Sequence, residues 1–218
     1  GRQVTNLGGF GGQFPATRWS MIVAAREDSG KALEELCQLY WKPVYLRMRA
    51  NSSLGNEELK DLTQEFFIEI IEGKVLEHFA EDRGSFRGYI KGAVQRFQLE
   101  HHRRKGAQKR GGGKNIINLD AGIIEQDPQA ASADSDPEEI FDRQWAQSVV
   151  DLAKESLQKE LTESGKETFF GVFDRYVLNR PAEGELTYAD VAEEFGIPQK
   201  EINDILVFCR DRMRRHTV

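Results

Sequence analysis

The chain has 218 residues, of which 39% are hydrophobic, so it can form one large domain or two small ones with apolar cores. Its apolar runs are only a few residues long, which excludes a typical membrane-spanning helix or secretory signal and predicts a cytoplasmic protein. The net charge is −6, from 36 acidic and 30 basic side chains, which argues against a protein that coats nucleic acid by charge alone.

Charge is distributed unevenly along the sequence. Between positions 83 and 110, nine basic residues accompany a single acid, Glu100. Between positions 115 and 142, eight acids occur without any Lys or Arg. The chain is therefore polarised into a basic stretch followed by an acidic one.

The cysteines and histidines do not form a metal or redox motif. Cys37 and Cys209 are far apart, and each lies within an apolar helical pattern, which favours small buried side chains. His101 and His102 are adjacent, so on a helix they point about 100° apart and are poorly placed to share one metal ion. We predict no metal site and no cofactor.

Residues 17–105 are predicted to form a first helical domain, after a disordered segment at 1–16. Apolar residues recur every three or four positions, with breaks at 51–56 and 81–85. The first helix begins near Thr17 or Ser20, and the others cover residues 31–50, 57–72 and 86–105. Pro43 is expected to bend or interrupt the second. In the fourth, Ser85 is the expected cap, and the expected inner face contains Phe86, Ile90, Val94 and Phe97.

Residues 106–136 are rich in Gly, Ala, Ser, Asp and Pro without sustained periodicity, which predicts a flexible acidic linker. Asp136 and Pro137 then begin a second domain at 137–218. Its predicted helices cover 138–161, 166–179, 188–195 and 199–216. The predicted fold is therefore all-α, with two small helical domains, the second a four-helix domain.

Residues 186–206 have the pattern of a helix-turn-helix, although two ordinary packed helices joined by a glycine are an alternative. Gly196 permits a tight turn, Ala192 permits close contact, and a small shared core would contain Val191, Ile197, Ile202 and Ile205. In such a motif the second helix enters the major groove of DNA. The expected DNA contacts are Thr187, Tyr188, Gln199, Lys200, Asn203, Arg210 and Arg214, with Arg212 and Arg215 close to the backbone.

The predicted helix at 86–105 suggests a second nucleic-acid surface. On the side opposite its apolar stripe lie Arg87, Lys91, Gln95, Gln98 and His102, with Tyr89, Arg96 and Glu100 between. A protein surface that binds single-stranded nucleic acid needs flat rings on which unstacked bases can stack and cations that contact the phosphate backbone. A solvated charged face over an ordinary core is the alternative.

Together these motifs resemble the extracytoplasmic-function (ECF) group of the sigma-70 family, from about residue 33 to residue 215 apart from the linker. Residues 61–67, Asp-Leu-Thr-Gln-Glu-Phe-Phe, are similar to the family's polymerase-binding helix, Asp-Leu-x-Gln-x-x-Phe. Residues 84–90, Gly-Ser-Phe-Arg-Gly-Tyr-Ile, resemble its promoter-melting helix. Tyr89 stands where relatives usually have Trp, Glu100 where they have Asp, and Arg96 where Asn is common.

The resemblance implies a sigma factor, not an enzyme, that binds core RNA polymerase and promoter DNA under the control of an anti-sigma or other inhibitory protein. The implied polymerase-binding residues are Asp61, Leu62, Gln64, Glu65, Phe67 and Ile68. The implied melting and downstream-element contacts are Arg83, Ser85, Phe86, Arg87, Tyr89, Lys91, Arg96, Glu100, Arg103 and Arg104. The helix-turn-helix would read the upstream element, where Glu201 and Asp204 predict weaker or differently specified contact.

The linker has two interpretations. In relatives the corresponding segment threads through positively charged channels of the polymerase, where eight acids would mimic nucleic acid. The alternative is a solubilising spacer.

Two rival functions follow from other features. Residues 111–114, Gly-Gly-Gly-Lys, suggest a phosphate-binding loop, but Gln108 and Asn115 occupy places that need Gly and Ser or Thr, and no strand precedes them. A stand-alone helix-turn-helix regulator or adaptor is the other rival. Such a regulator would not need the motif at 61–67, so this motif distinguishes a sigma factor from it.

Overall fold

The computed structural model describes residues 19–27, 30–80, 84–107, 136–181 and 186–217. Within these ranges the regular secondary structure is entirely helical, which confirms the predicted all-α fold. The α-helices in chain order are α1 (Trp19–Arg26), α2 (Gly30–Ala50), α3 (Asn56–Ile71), α4 (Phe86–Ala107), α5 (Pro137–Glu163), α6 (Glu167–Phe173), α7 (Tyr188–Phe195) and α8 (Gln199–His216). The predicted segment at 1–16 and the linker residues 108–135 lie outside the described residues.

Contacts divide the chain into two compact units, the first covering Ala16–Ser148 and the second including Val149–Val218. The division falls inside α5, whereas the sequence predicts the second domain to begin at residue 137. The reason is an apolar face in the first turns of α5, where Ile140, Phe141 and Trp145 are buried. The Phe141 ring lies 6.3 Å from the Tyr40 ring of α2, so this part of α5 belongs to the core of the first unit.

In the first unit, α2 continues through Pro43, so of the two expected outcomes, a bend or an interruption, the interruption does not occur. Proline lacks an N–H group and so costs the helix one hydrogen bond. Tyr40 before it, and Val44 and Met48 after it, are fully buried. Their packing holds the backbone helical across the proline.

The predicted cap and inner face of α4 are confirmed. The Ser85 hydroxyl accepts a hydrogen bond of 3.1 Å from the Gly88 N–H, which satisfies one of the free donors in the first turn. Along the inner face Ile90 and Val94 are buried, and the Phe97 ring lies 5.4 Å from that of Phe66 in α3.

In the second unit, the single helix predicted at 166–179 is divided into two parts. After α6 the backbone widens into a π-helical turn, Asp174–Leu178, which ends with a 2.7 Å hydrogen bond from the Asn179 N–H to the Asp174 carbonyl. Within this turn the Tyr176 ring lies 5.0 Å from that of Tyr188 at the start of α7. The turn therefore holds the beginning of α7.

The predicted turn between α7 and α8 is confirmed at Gly196, whose φ of 63° favours a residue without a side chain. The Ile197 N–H donates to the Ala192 carbonyl over 3.0 Å, which ends α7. Val191, Ile202 and Ile205 are buried, as the pattern predicts. At the other end of α7, Thr187 and Asp190 form a reciprocal capping box.

Candidate nucleic-acid interface

The surface of α3 presents most of the residues implied to bind polymerase. Asp61 and Glu65 are exposed, while Gln64 and Ile68 are half-buried, and the four recur along one side of the helix. Ile71 continues this side with 43% of its surface exposed. A stripe in which apolar side chains lie beside carboxylates is suited to binding another protein.

Leu62 and Phe67 lie in the core of the first unit. Both side chains are almost fully buried, and the Phe67 ring is 5.1 Å from that of Trp41. Their role in any contact with a partner is therefore indirect, since they hold α3 against α2.

Three of the implied melting residues are used for packing or capping. Ser85 caps α4, and Phe86 is buried 5.0 Å from the Phe79 ring. The Tyr89 hydroxyl donates to the backbone carbonyl of Val75, and burial raises the pKa of this hydroxyl, an effect that Arg96 partly offsets. These residues fix the beginning of α4 against the segment that follows α3.

Arg87 and Lys91 are covered by the first turns of α5. Lys91 Nζ lies 2.9 Å from Asp142 Oδ2 and 3.1 Å from Glu138 Oε2, and its side chain is only 16% exposed. Arg87 Nε lies 3.5 Å from Asp142 Oδ1. The sequence places both residues on the side of α4 opposite its apolar stripe. The structure adds the reason why that side is not open, because α5 packs there and supplies acids.

The pairing of Arg47 with Glu138 was not predicted from the sequence. Arg47 is 4% exposed, and its Nη2 atom lies 2.6 Å from Glu138 Oε1. An arginine within the amphipathic pattern of α2 has no local signal for burial. Only the opposing carboxylate of α5 explains its position.

Much of the second half of α4 remains open, although Gln98, which was expected on its polar side, is buried and donates to the Met48 carbonyl over 3.2 Å. Arg96 and Arg103 are exposed, as are Glu100 and Arg104, which pair with each other one turn apart. The Arg96 guanidinium lies 5.8 Å from the centre of the Tyr89 ring. This arrangement leaves cations accessible to a phosphate backbone. Arg83 lies outside the described residues.

At the start of α8, Gln199, Lys200 and Asn203 are exposed together with the acids Glu201 and Asp204. This short surface therefore carries donors, acceptors and both signs of charge, as expected of a surface that contacts base edges. Thr187 is exposed at the α7 cap, and Tyr188 packs against Tyr176.

The arginines near the end of α8 differ in their surroundings. Arg210 is half-buried, and Arg214 lies 3.3 Å from Asp211. Arg212 Nη1 lies 3.0 Å from Glu160 Oε1 in α5, and its guanidinium is 5.3 Å from the centre of the Phe208 ring. Arg212 thus contributes to the fold, and its expected place near the DNA backbone stays a prediction.

The cysteines are buried, as predicted. Burial, with a smaller effect of Glu34, raises the pKa of Cys37 to about 11, and burial raises the pKa of Cys209 to about 12. Such thiols are poor nucleophiles near neutral pH. Among the described residues, no group of three or more His, Cys, Asp or Glu side chains is placed to hold a metal ion. In the same part of the chain, every helix is too short or too polar to cross a membrane.

A first unit with exposed cations along α4, and a second unit built on the α7–α8 pair, define an all-helical protein of the DNA-binding class. The family model described as "ECF sigma factor" matches residues 20–218, so the chain belongs to the ECF sigma factor family. Members of this family are non-enzymatic transcription factors that act in transcription initiation, which implies RNA polymerase and promoter DNA as partners. Searches of curated proteins and of solved structures gave no match.

Proposed function

We propose that this protein binds core RNA polymerase through α3 and directs it to promoters that carry two DNA elements. The observation that carries the proposal is the side of α3 formed by Asp61, Gln64, Glu65 and Ile68, within a chain that matches the family over residues 20–218. A regulator that acts alone has no need of this surface. The first unit would open the DNA, and the α7–α8 pair would hold the upstream duplex.

The α3 surface is suited to a polymerase contact for a physical reason. Carboxylate and amide groups at Asp61, Gln64 and Glu65 give directional contacts, while Ile68 and Ile71 provide apolar area at the same side. Because Leu62 and Phe67 anchor the opposite side of the helix in the core, the exposed side chains are held in a fixed arrangement.

The DNA contacts are proposed to come from both units. In the first unit, the accessible cations Arg96 and Arg103 would bind backbone phosphates near the opened strand. In the second, Gln199, Lys200 and Asn203 would enter the major groove as part of a helix-turn-helix. Glu201 and Asp204 would weaken contact with phosphates at this surface, so the polymerase must supply part of the affinity.

Reconstitution with core RNA polymerase tests the proposal directly. The purified chain is combined with core enzyme and a library of double-stranded templates, and the transcripts are sequenced. We expect initiation from a defined set of templates that core enzyme alone does not use. Initiation on no template, or no binding to core enzyme, would refute the proposal and favour a stand-alone regulator.

Substitution of two α3 residues tests the assigned surface. For Asp61→Ala with Gln64→Ala, we expect core polymerase to bind about tenfold more weakly or worse, as is common when central contact residues are truncated. Helicity and unfolding midpoint should stay close to those of the unchanged protein because Asp61 is exposed and Gln64 is only half-buried. The matched control is Glu155→Ala, an exposed acid of α5. Unchanged affinity of the α3 variant for core enzyme would remove α3 from the contact.

We also propose that the protein acts in the cytoplasm and is restrained there by an inhibitory protein partner. The support is the net charge of −6, which disfavours unassisted DNA binding, together with the resemblance to a group that anti-sigma proteins control. The test is competition, since such a partner, once purified, should reduce the binding of the chain to core polymerase in proportion to its concentration. A purified partner that leaves this binding unchanged would refute the proposed restraint.

A further inference from the structure

We propose that residues 137–148, the first turns of α5, are an internal mimic of promoter DNA that occupies the basic side of α4 in the free protein. The inference rests on the proposed function, in which Arg87 and Lys91 contact opened promoter DNA. It adds that these two residues are already bound, by groups that imitate a nucleotide chain.

The carboxylates of α5 take the place of phosphates. Lys91 has three N–H donors, and two carboxylates lie within reach of them, Asp142 at 2.9 Å and Glu138 at 3.1 Å. Asp142 also lies 3.5 Å from Arg87 Nε. The 2.9 Å contact has the geometry that Lys91 would use for a phosphate oxygen, whereas the contact of Arg87 is an ion pair without a hydrogen bond.

The aromatic rings of α5 take the place of bases. The Arg87 guanidinium lies 4.6 Å from the centre of the Trp145 ring, and Lys91 Nζ lies 5.5 Å from that of Phe141. A base that leaves the stack also offers a flat π face to a cation. Residues 137–148 therefore present both halves of a nucleotide, an anion and a ring, to each of the two cations.

The cover is confined to one part of α4. Arg96 and Arg103, further along the helix, are exposed. Arg87 and Lys91 lie within the stretch that resembles the promoter-melting helix or directly after it, whereas the exposed arginines follow later. The acids of α5 thus neutralise the part of α4 where strand opening would begin.

Mutual exclusion follows from this geometry. Lys91 holds both carboxylates of α5 and its side chain is only 16% exposed, which leaves little room for a phosphate beside them. Promoter DNA would therefore have to displace residues 137–148 to reach Lys91, and it would compete with Asp142 for Arg87, whose side chain is 35% exposed. The free protein would bind single strands weakly, and it would bind them better once the acids are neutralised.

The first test removes the two charges and keeps the shape. Glu138→Gln with Asp142→Asn is compared with Glu139→Gln with Glu155→Gln, which changes net charge equally at exposed positions of the same helix. The probe is a fluorescein-labelled single-stranded oligodeoxynucleotide of mixed sequence. We expect affinity on the order of tenfold higher for the first variant at low salt, with a steeper salt dependence, because two more phosphates are bound. An equal response of both variants would overturn the mimic.

The second test measures displacement in the unchanged protein. Hydrogen exchange of the amides at 137–148 is followed in the free chain and with saturating oligonucleotide. We expect these amides to lose protection in the complex, because turns at the end of a helix fray when their packing is lost. Protection of these amides that persists while the oligonucleotide is bound would overturn the mimic. That result would leave the proposed function standing, because the reconstitution assay measures initiation independently. Failure of the unchanged protein to initiate would instead refute the proposed function.

Discussion

The basic helices of the two units, α4 and α8, differ in how far their polar sides are exposed to solvent. In α4, Arg87 and Lys91 are paired with acids from elsewhere in the same unit. In α8, Lys200 and Asn203 are exposed and Arg214 pairs with Asp211 of the same helix, while Arg212 pairs with Glu160 of α5. Polar residues opposite an apolar stripe are therefore accessible in α8 and partly covered in α4. An amphipathic pattern identifies the inner face of a helix but does not establish that the other face is open.

The difference arises because α5 adds a second layer to the first unit. Ile140, Phe141 and Trp145 give its first turns an apolar face, and Glu138 and Asp142 border that face with acids. On α4, the cations Arg87 and Lys91 face these acids. Hydrophobic burial thus places α5, and charge complementarity selects the side of α4 on which it packs.

The largest expected effect is a loss of stability on substitution of a core residue of α5, which tests whether the first turns of this helix belong to the core of the first unit. Phe141→Ala removes a fully buried ring that packs near Tyr40, and should lower the free energy of unfolding by about 3–5 kcal/mol. The measurement is chemical denaturation followed by circular dichroism. Val207→Ala in α8 is the control, because Val207 is 47% exposed and should change stability by about 0.5 kcal/mol or less. Equal effects of the two substitutions would mean that the first turns of α5 are only loosely attached.

Local signals in the sequence were enough to predict the helices and their ends. Ser85 is the predicted cap of α4, and Gly196 is the residue that a left-handed turn requires, so these ends are encoded within a few residues, whereas the capping box at Thr187 was not predicted. Periodicity likewise predicted the buried side of α4, because Ile90 and Val94 repeat at helical spacing.

Features that depend on distant residues could not be predicted. Lys91 and Asp142 are 51 positions apart, and neither residue carries a local sign of its partner. The burial of Arg47 depends in the same way on Glu138. The π-helical turn at Asp174–Leu178 also has no signature in its own sequence. For the candidate site, the motifs therefore identified the helices concerned, but not which cations remain accessible.

A smaller effect is expected for the coupling energies of two ion pairs, one between α4 and α5 and one within α8. A double-mutant cycle of Lys91→Ala and Asp142→Ala should give a coupling energy of about 1 kcal/mol, since the Lys91 side chain is largely buried. The same cycle for Arg214→Ala and Asp211→Ala should give about 0.3 kcal/mol, because that pair is exposed and lies within one helix. Both are measured by denaturation. Couplings of equal size would show that the contact between α4 and α5 is no stronger than an ordinary surface pair.

The smallest expected effect is a pH dependence of stability that comes from the capping box at α7. The beginning of α4 has a capping serine, Ser85, but no such box. Hydrogen bonds from the Thr187 hydroxyl and backbone N–H lower the pKa of Asp190, with a smaller contribution from Arg175. A carboxyl whose pKa is lower in the folded state stabilises the fold above its unfolded pKa of about 3.9, and this contribution is lost as the pH falls through the folded value. The stability difference between the unchanged protein and Asp190→Asn should therefore be constant from neutral pH to about pH 5 and shrink below pH 4. Thermal unfolding of both proteins across this range measures it. A difference that persists undiminished at the lowest pH would mean that it does not come from the aspartate charge, and no difference at any pH would mean that the cap depends on the Thr187 hydroxyl alone.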